Sequence, residues 1–145
     1  MSNAGIGHGT VFSLSTDATD TNLTVLAEIK TVTPPNGIAE DVDVTHFGSP
    51  EKRREFILGL IDDGEGEFMM NLVPGSATDS LIRTARTAQD LRAYRIALPA
   101  SAGGTWEIDG TCRVKGYSRE IPIDGVMEAT MLVRFTGAST EAAGA

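Results

Sequence analysis

The side chains best suited to chemistry in this chain are two histidines and a single cysteine. His8 lies in a glycine-rich segment and His46 beside a loop, and neither has a partner at the spacing that nucleophilic catalysis or metal binding requires. Cys112 falls on the apolar face of a predicted strand, where a thiol is buried and inert, and it has no second cysteine for an internal disulfide. These residues predict no catalytic site, no metal and no cofactor.

Two further segments resemble ligand-binding loops in composition only. Residues 5–9 alternate glycine with other residues, but no strand precedes them and no helix follows, so no helix N-terminus is available for a phosphate. Residues 62–67 are rich in aspartate and glutamate but lack the spacing of a calcium loop. A turn between two strands accounts for the same residues without a metal, and calcium binding is the less favoured alternative.

The charge balance excludes another class of protein. Twelve basic residues against 20 acidic residues give a net charge of −8 over 145 residues, whereas a protein that grips nucleic acid needs an accumulated positive face. No apolar run approaches the roughly 20 residues that cross a bilayer, and the N-terminus lacks the basic and apolar regions of a secretory signal. We therefore expect a single domain that neither grips nucleic acid nor enters a membrane.

Strands must build most of the fold, because apolar residues recur with a period of two along most of the chain. One helix is predicted at 78–90, capped by Ser76 or Thr78, with an apolar face that includes Ala85 and Ala88. Turns rich in proline, glycine and aspartate separate the predicted strands at 10–15, 23–32, 42–45, 54–61, 65–73, 92–98, 105–117 and 126–136. This order predicts a mainly β fold, an antiparallel β-sandwich or barrel with one flanking α-helix.

The domain is predicted to occupy residues 10–136. Residues 1–9 form an N-terminal arm and residues 137–145 a flexible C-terminal arm, because both are dominated by small residues that bury little apolar surface. Within the domain, the strands at 54–61, 67–73 and 126–135 are apolar or mixed on both faces, which a sheet with one wet face would not show. Cover of the second face by the chain's own helix or by neighbouring subunits would explain this pattern, and the flexible arms and a protruding charged loop favour neighbouring subunits.

The chain resembles the tail tube protein of long-tailed bacteriophages, the major tail protein of the lambda-like siphophage group. The resemblance runs from about residue 9 to 137 and rests on the order of its elements as much as on any one motif. The segments that carry it are 9–12 in the first strand, 26–34 in the second, 64–76 leading into the helix, and 124–137 in the closing strand. A secretion-type tube ring is the related alternative, and a small soluble ligand-binding β-barrel is the alternative from another class.

The resemblance implies a structural protein of the virion and no enzyme. Six subunits would form a ring, and rings would stack into a hollow tube with an electronegative lumen through which genomic DNA passes without specific binding. The expected partners are further copies of the chain, the tape measure protein in the lumen during assembly, the tail tip or baseplate and the tail terminator. Assembly would take place in the cytoplasm of the host bacterium.

Three groups of residues are expected to serve assembly. A polar connection too long for a hairpin is predicted to dock on the next ring; it contains His46, Phe47, Glu51, Lys52, Arg53, Arg54 and Glu55. The lumen is predicted to be lined by Glu28, Glu40, Asp41, Asp43 and Glu128, with Arg83 and Arg86 of the helix facing away because arginines there would bind passing phosphates. Arms between rings are expected to include Gly5, His8, Thr136 and Gly137.

Overall fold

The computed structural model describes residues 7–19, 22–100 and 104–144. Within these ranges the helix α1 spans Ala77–Ala88 and a short 3-10 helix spans Pro50–Lys52. The strands are β1 Val11–Ser15, β2 Leu23–Val25, β3 Ile29–Val32, β4 Ile38–Asp43, β5 Phe56–Asp62, β6 Glu65–Asn71, β7 Arg92–Pro99, β8 Thr105–Glu120 and β9 Glu128–Ala143.

Seven strands form one antiparallel sheet in the order β2-β1-β7-β8-β9-β6-β3. The long hairpin of β8 and β9 lies at its centre, and buried residues alternate with less buried ones along parts of both strands: Cys112 and Val114 are buried, and Arg113 between them is exposed. This alternation is what a strand with one core-facing side requires. The mainly β, antiparallel fold with one helix that the sequence predicted is confirmed.

The sheet curls until its two halves face each other across an aromatic core. The ring centroids of Phe12 on β1 and Phe68 on β6 lie 4.3 Å apart, although β7, β8 and β9 separate these two strands in the sheet. The rings of Tyr94 and Phe135 lie 5.3 Å apart and extend the same cluster. Side chains therefore fill the interior, as in a sandwich or a narrow barrel.

Helix α1 packs against β8. Its first turn is capped by the Ser76 hydroxyl, which accepts a hydrogen bond from the backbone N–H of Asp79 at 3.2 Å, and it ends at Gln89 in the left-handed conformation. Ile82 and Ala85 are buried. The helix and its Ser76 cap agree with the prediction, but Ala88 is exposed and does not belong to the buried face.

The single strand predicted at 23–32 was wrong. The structure has two strands, β2 and β3, separated by a turn in which Glu28 takes a left-handed backbone conformation with φ of 57°. The turn places Leu26 in the core, where its backbone N–H donates to Phe12 O at 2.9 Å, and leaves Val25 exposed. Burial of one leucine outside the alternating pattern decides the local path of the chain.

The predicted C-terminal arm, residues 137–145, was also wrongly placed outside the domain as far as residues 137–143 are concerned. Strand β9 continues to Ala143, and its residues 140–143 pair with residues 106–109 of β8. Thr136 lies opposite Thr111 and Thr140 opposite Asp109, so β9 accommodates extra residues between these pairs. Gly137, with φ of 78°, supplies the backbone conformation for this bulge.

Strands β4 and β5 extend the β3–β6 pair into one long two-stranded ribbon. Val32 lies opposite Phe68 and Ile38 lies opposite Asp62. The two pairs are the same number of residues apart along both segments of the chain, so the pairing register is kept from one ladder to the next. The ladder is interrupted at 33–37, where Pro34 and Pro35 have no N–H to donate, and a hydrogen bond from Asn36 N to Asp63 O bridges the gap at 3.0 Å. Beyond this gap the β4–β5 part leaves the main sheet.

Candidate assembly surfaces

The β4–β5 ribbon carries large apolar side chains that no other part of the described chain covers. Leu58 and Leu60 on β5 are 71% and 85% exposed, and Ile38, Ile57 and Ile61 are exposed as well. An isolated two-stranded ribbon is marginally stable in water, and a contiguous exposed apolar patch marks an interaction site. The ribbon is the surface of this subunit that most needs a partner.

Acidic residues lie beside the apolar ones on the same ribbon. Asp41 is directly opposite Leu58 and Asp43 directly opposite Phe56, so both carboxylates share a face with β5 side chains. Hydrogen bonds from Thr45 lower the pKa of Asp43, so this carboxylate is charged at neutral pH. Glu40 lies at a register shift between the two strands.

The structure divides the predicted lumen residues into two groups. Glu40, Asp41 and Asp43 lie together on β4, whereas Glu28 and Glu128 lie at the far end of the main sheet, where Glu28 O and Asn71 N are hydrogen-bonded. Glu128 forms an ion pair with Lys30 at 2.5 Å. That these five residues line a lumen stays a prediction.

The loop at 44–55 joins the tips of β4 and β5 and is closed by its own hydrogen bonds. Val44 N donates to Glu55 O at 2.9 Å, and the Ser49 hydroxyl donates to the Glu55 carboxylate at 2.6 Å. The same carboxylate lies 3.4 Å from His46 Nε2. This organisation gives the loop a defined shape and leaves the Phe47 ring fully exposed.

The basic residues of this loop are only partly neutralised. Arg53 lies 3.4 Å from Glu51 in an exposed ion pair. After the hydrogen bonds from Thr45, the positive charge of Arg54 also lowers the pKa of Asp43. Within the described chain Lys52 makes neither an ion pair nor a hydrogen bond. The loop thus presents an exposed aromatic ring beside a basic edge. Its docking on another ring stays a prediction.

A second exposed apolar loop, which we did not single out from the sequence, connects β8 to β9 at 121–127. Ile121 and Val126 are mostly exposed and Ile123 is fully exposed. The sequence did contain a signal. Aliphatic residues flank Pro122 and Asp124, and because proline and aspartate are typical of surface turns, these aliphatic side chains could have been expected to be exposed. We interpreted the segment only as a turn.

The 121–127 loop and the β4–β5 ribbon, which carries the 44–55 loop, leave the main sheet at opposite ends. The 121–127 loop lies where Glu128 of β9 pairs with Asn71 of β6, and the ribbon leaves where Arg134 of β9 pairs with Glu65. Six residues of strand between Glu128 and Arg134 span about 20 Å. The subunit therefore has two unlike ends.

The helix arginines are held by the subunit's own groups. Arg83 Nε lies 3.2 Å from the Asp79 carboxylate, and Arg86 donates to the backbone oxygen of Tyr117 at 3.4 Å. That they face away from a lumen stays a prediction. Of the predicted arm residues, Gly5 lies outside the described residues, His8 is exposed in a turn, and Thr136 O accepts a hydrogen bond from the Thr111 hydroxyl at 2.7 Å.

Asp79 joins helix α1 to the sheet through a buried hydrogen bond. Its carboxylate accepts from the Tyr117 hydroxyl at 2.9 Å and from Gly75 N at 3.3 Å. Partial removal from water raises the pKa of Asp79, but these hydrogen bonds and Arg83 outweigh that effect and hold the pKa below its usual value. The charged carboxylate is therefore the form that the folded subunit favours.

Tyr117→Phe should destabilise the subunit in a pH-dependent way. At pH 7 the buried carboxylate loses its donor, and we expect a loss of about 1–3 kcal/mol in the free energy of unfolding. A lowered carboxyl pKa contributes stability that is present above the unfolded pKa of about 3.9 and is lost as pH falls through the folded pKa. The difference between variant and wild type should therefore shrink towards pH 3.

Urea unfolding at pH 7 and pH 3 tests this prediction. Tyr94→Phe is the matched control, because the Tyr94 hydroxyl makes no hydrogen bond to a carboxylate within the described chain. A pH-independent loss in Tyr117→Phe, equal to that of the control, would contradict the role assigned to Asp79.

The acidic segment at 62–67 and Cys112, both considered as possible sites in the sequence, serve the fold instead. Arg134 donates to both carboxylate oxygens of Asp62 at 2.7 Å, and Lys115 pairs with Glu65, so the acidic segment at 62–67 is used in ion pairs. Burial raises the pKa of Cys112 to about 12. Across residues 7–19, 22–100 and 104–144 there is no cluster of three or more groups suited to a metal.

The same described ranges contain no helix with the length and apolar character needed to cross a bilayer.

Solved structures with this fold come from tail-like assemblies. A chain in the tail of an empty gene transfer agent particle, refined with C6 symmetry, has a TM-score of 0.76 and 16% identity, covering 94% of this chain and 98% of that one. The six-fold symmetrised baseplate of the anti-feeding prophage gives 0.74 at 11% identity, covering 98% and 97%. The SPP1 tail tube gives 0.69 at 12% identity, covering 96% and 79%. The fold is that of tail tube subunits.

The chain belongs to the lambda phage tail tube protein family, whose profile matches residues 6–142. The resemblance seen in the sequence is thereby confirmed. Comparison with curated protein sequences finds no match. Family membership makes the chain a structural subunit of a phage tail tube rather than an enzyme.

Proposed function

We propose that this chain forms six-fold rings that stack into a hollow tube with an electronegative lumen, through which genomic DNA passes during ejection without specific binding. The observation that carries the proposal is the β4–β5 ribbon, with large apolar side chains exposed on a two-stranded element that pairs only with itself in the described chain. A neighbouring subunit that covers the ribbon would remove both the exposed apolar surface and the free strand edges.

Charge supports the proposed conduit. Six copies of a chain with net charge −8 carry about −48 per ring, and an acidic wall repels phosphate so that DNA does not adhere. Asp41, Asp43 and Glu40 on the ribbon are the first candidates for this wall. Glu28 and Glu128 are the second group, with the Glu128 charge partly balanced by Lys30.

Ring contacts would come from the loop at 44–55 and from the chain termini. The loop is long, polar and internally organised, and it lies at the end of the ribbon. His8 with the N-terminal segment, and Thr136 and Gly137 near the base of the ribbon, are the proposed contributors from the two termini. A tape measure protein in the lumen and the tail tip and terminator proteins at the ends would complete the tail, which we propose is assembled in the host cytoplasm.

A filled core argues against the ligand-binding alternative. Phe12, Phe68, Tyr94 and Phe135 occupy the interior that a ligand-binding barrel would leave open. A cleft of about 1020 Å³ lies between the ribbon base and the β8–β9 side of the sheet, and it is lined by charged groups that include Asp62 and Arg134. This cleft belongs to the surface around the ribbon.

Electron microscopy and sedimentation of the purified chain test the proposal. We expect six-fold rings or tubes that appear as the protein concentration rises, with no requirement for a small ligand. A chain that stays monomeric up to millimolar concentration and never forms rings would refute it.

Removing the basic edge of the 44–55 loop should block tube growth and not ring formation. Lys52, Arg53 and Arg54 are exposed, so their replacement by serine should leave the monomer folded while the contact between rings loses its charged groups. We expect rings without tubes in electron micrographs and an unchanged unfolding midpoint. The control is Lys52→Arg with Arg53→Lys and Arg54→Lys, which keeps the charge; normal tubes from the serine variant would refute the stacking role.

A further inference from the structure

The 121–127 loop exposes apolar side chains that do not contribute to the packing of the single subunit. Ile123 is fully exposed, and Ile121 and Val126 are mostly exposed, although the loop is anchored at its base by a hydrogen bond from Leu72 N to Met127 O at 2.9 Å. Three aliphatic side chains on one tight connection form a small apolar seat, which we call the 121–127 seat.

The seat is flanked by carboxylates that have no internal partner. Within the described chain, the side chains of Glu120 and Asp124 make neither an ion pair nor a hydrogen bond, whereas the side chain of the nearby Glu128 is paired with Lys30. A partner that fits this surface must supply an apolar or aromatic side chain together with positive charge.

The subunit itself contains a segment with these properties. In the loop at 44–55, Phe47 is fully exposed and Lys52 has no partner in the described chain, with Arg53 and Arg54 beside it in sequence. Aromatic and basic side chains are the types that anchor protein interfaces. The loop and the seat lie at opposite ends of one subunit, so they meet only between two copies.

We propose that the 121–127 seat receives the 44–55 loop of a subunit in the adjacent ring, with Phe47 packed on Ile121 and Ile123 and Lys52 facing Glu120 and Asp124. The inference rests on the proposed function, because it requires stacked rings. Head-to-tail stacking of identical rings brings unlike ends together at every junction. Each junction would then repeat the same apolar and charged contact six times.

Site-directed cross-linking tests this contact. Phe47→Cys and Ile123→Cys variants are prepared separately, mixed, assembled into tubes and treated with a short bis-maleimide. Cys112 is fully buried and does not react. We expect covalent dimers containing one copy of each variant, at a yield at least about tenfold above that of the control pair Phe47→Cys and Val25→Cys, since Val25 is exposed on β2 and lies outside the seat.

The outcomes separate this inference from the function on which it rests. Tubes that form but give equal dimer yields in both pairs overturn the seat and leave the tube function standing. Tubes in which Ile123→Cys still reacts fully with a monofunctional maleimide also overturn it, because the seat is then open to another partner. A wild-type chain that forms no rings refutes the proposed function and this inference together.

Discussion

Replacing Leu58 and Leu60 together by serine should abolish ring formation while the monomer stays folded. Both side chains are largely exposed in the subunit, so the monomer loses little buried apolar surface with them. In a ring, each would lie in a covered contact, where truncating an anchor side chain costs about 2 kcal/mol or more. The loss is repeated at every contact of the ring, and we expect only monomer in sedimentation at micromolar concentration.

Val25→Ser is the control for this variant. Val25 is also an exposed aliphatic residue, but it lies on β2 at the other edge of the main sheet, and its replacement should leave assembly intact. Rings of normal stability from the double variant would show that the ribbon is not the contact between neighbouring subunits.

Phe68→Ala should have the largest effect on the stability of the monomer. The Phe68 ring is fully buried and contacts Phe12 and Phe135, which belong to strands on either side of the core. Its removal leaves a cavity between the two halves of the curled sheet, and such truncations cost about 3–5 kcal/mol. For a domain of this size, the thermal midpoint should fall by roughly 10–20 °C.

Met69→Ala, one residue along the same strand, provides the comparison. Met69 is partly exposed on the opposite face of β6, so its truncation should cost less than about 1 kcal/mol. Urea unfolding of both variants measures the difference. Similar losses at the two positions would contradict the view that the aromatic cluster holds the two halves of the sheet together.

Strands that alternate strictly were predictable from the sequence. In β9 the residues Ala129, Met131, Val133 and Phe135 are all buried, because each fits the period-two pattern that a one-sided core imposes. Helix α1 was equally predictable, since the Ser76 cap and the helical spacing of Leu81 and Ala85 are local signals. The buried Ile82 was not part of the predicted face. The apolar character of both faces at 54–61 predicted a surface that needs a partner, and in the structure the side chains of β5 are exposed. That a neighbouring subunit covers them stays a prediction.

The errors arose where a distant contact overrides the local pattern. Leu26 interrupts the alternation at 23–32 because its burial against β1 outweighs continuation of the strand. Residues 138–143 are small and polar, and they join the sheet because the first part of β8 offers them backbone partners. Neither partner is visible from the residues themselves. The 121–127 seat escaped notice because turn composition alone does not show that its isoleucines are exposed.

The unlike ends of the subunit have a consequence for the size of the assembly. A contact between unlike ends lacks the two-fold symmetry that closes a dimer, so every added ring exposes a fresh copy of the same free end. Growth by such a contact has no last step, because addition of the hundredth ring releases the same free energy as addition of the tenth. In the proposed tube, this contact would therefore not set the number of rings, and another molecule would have to limit it.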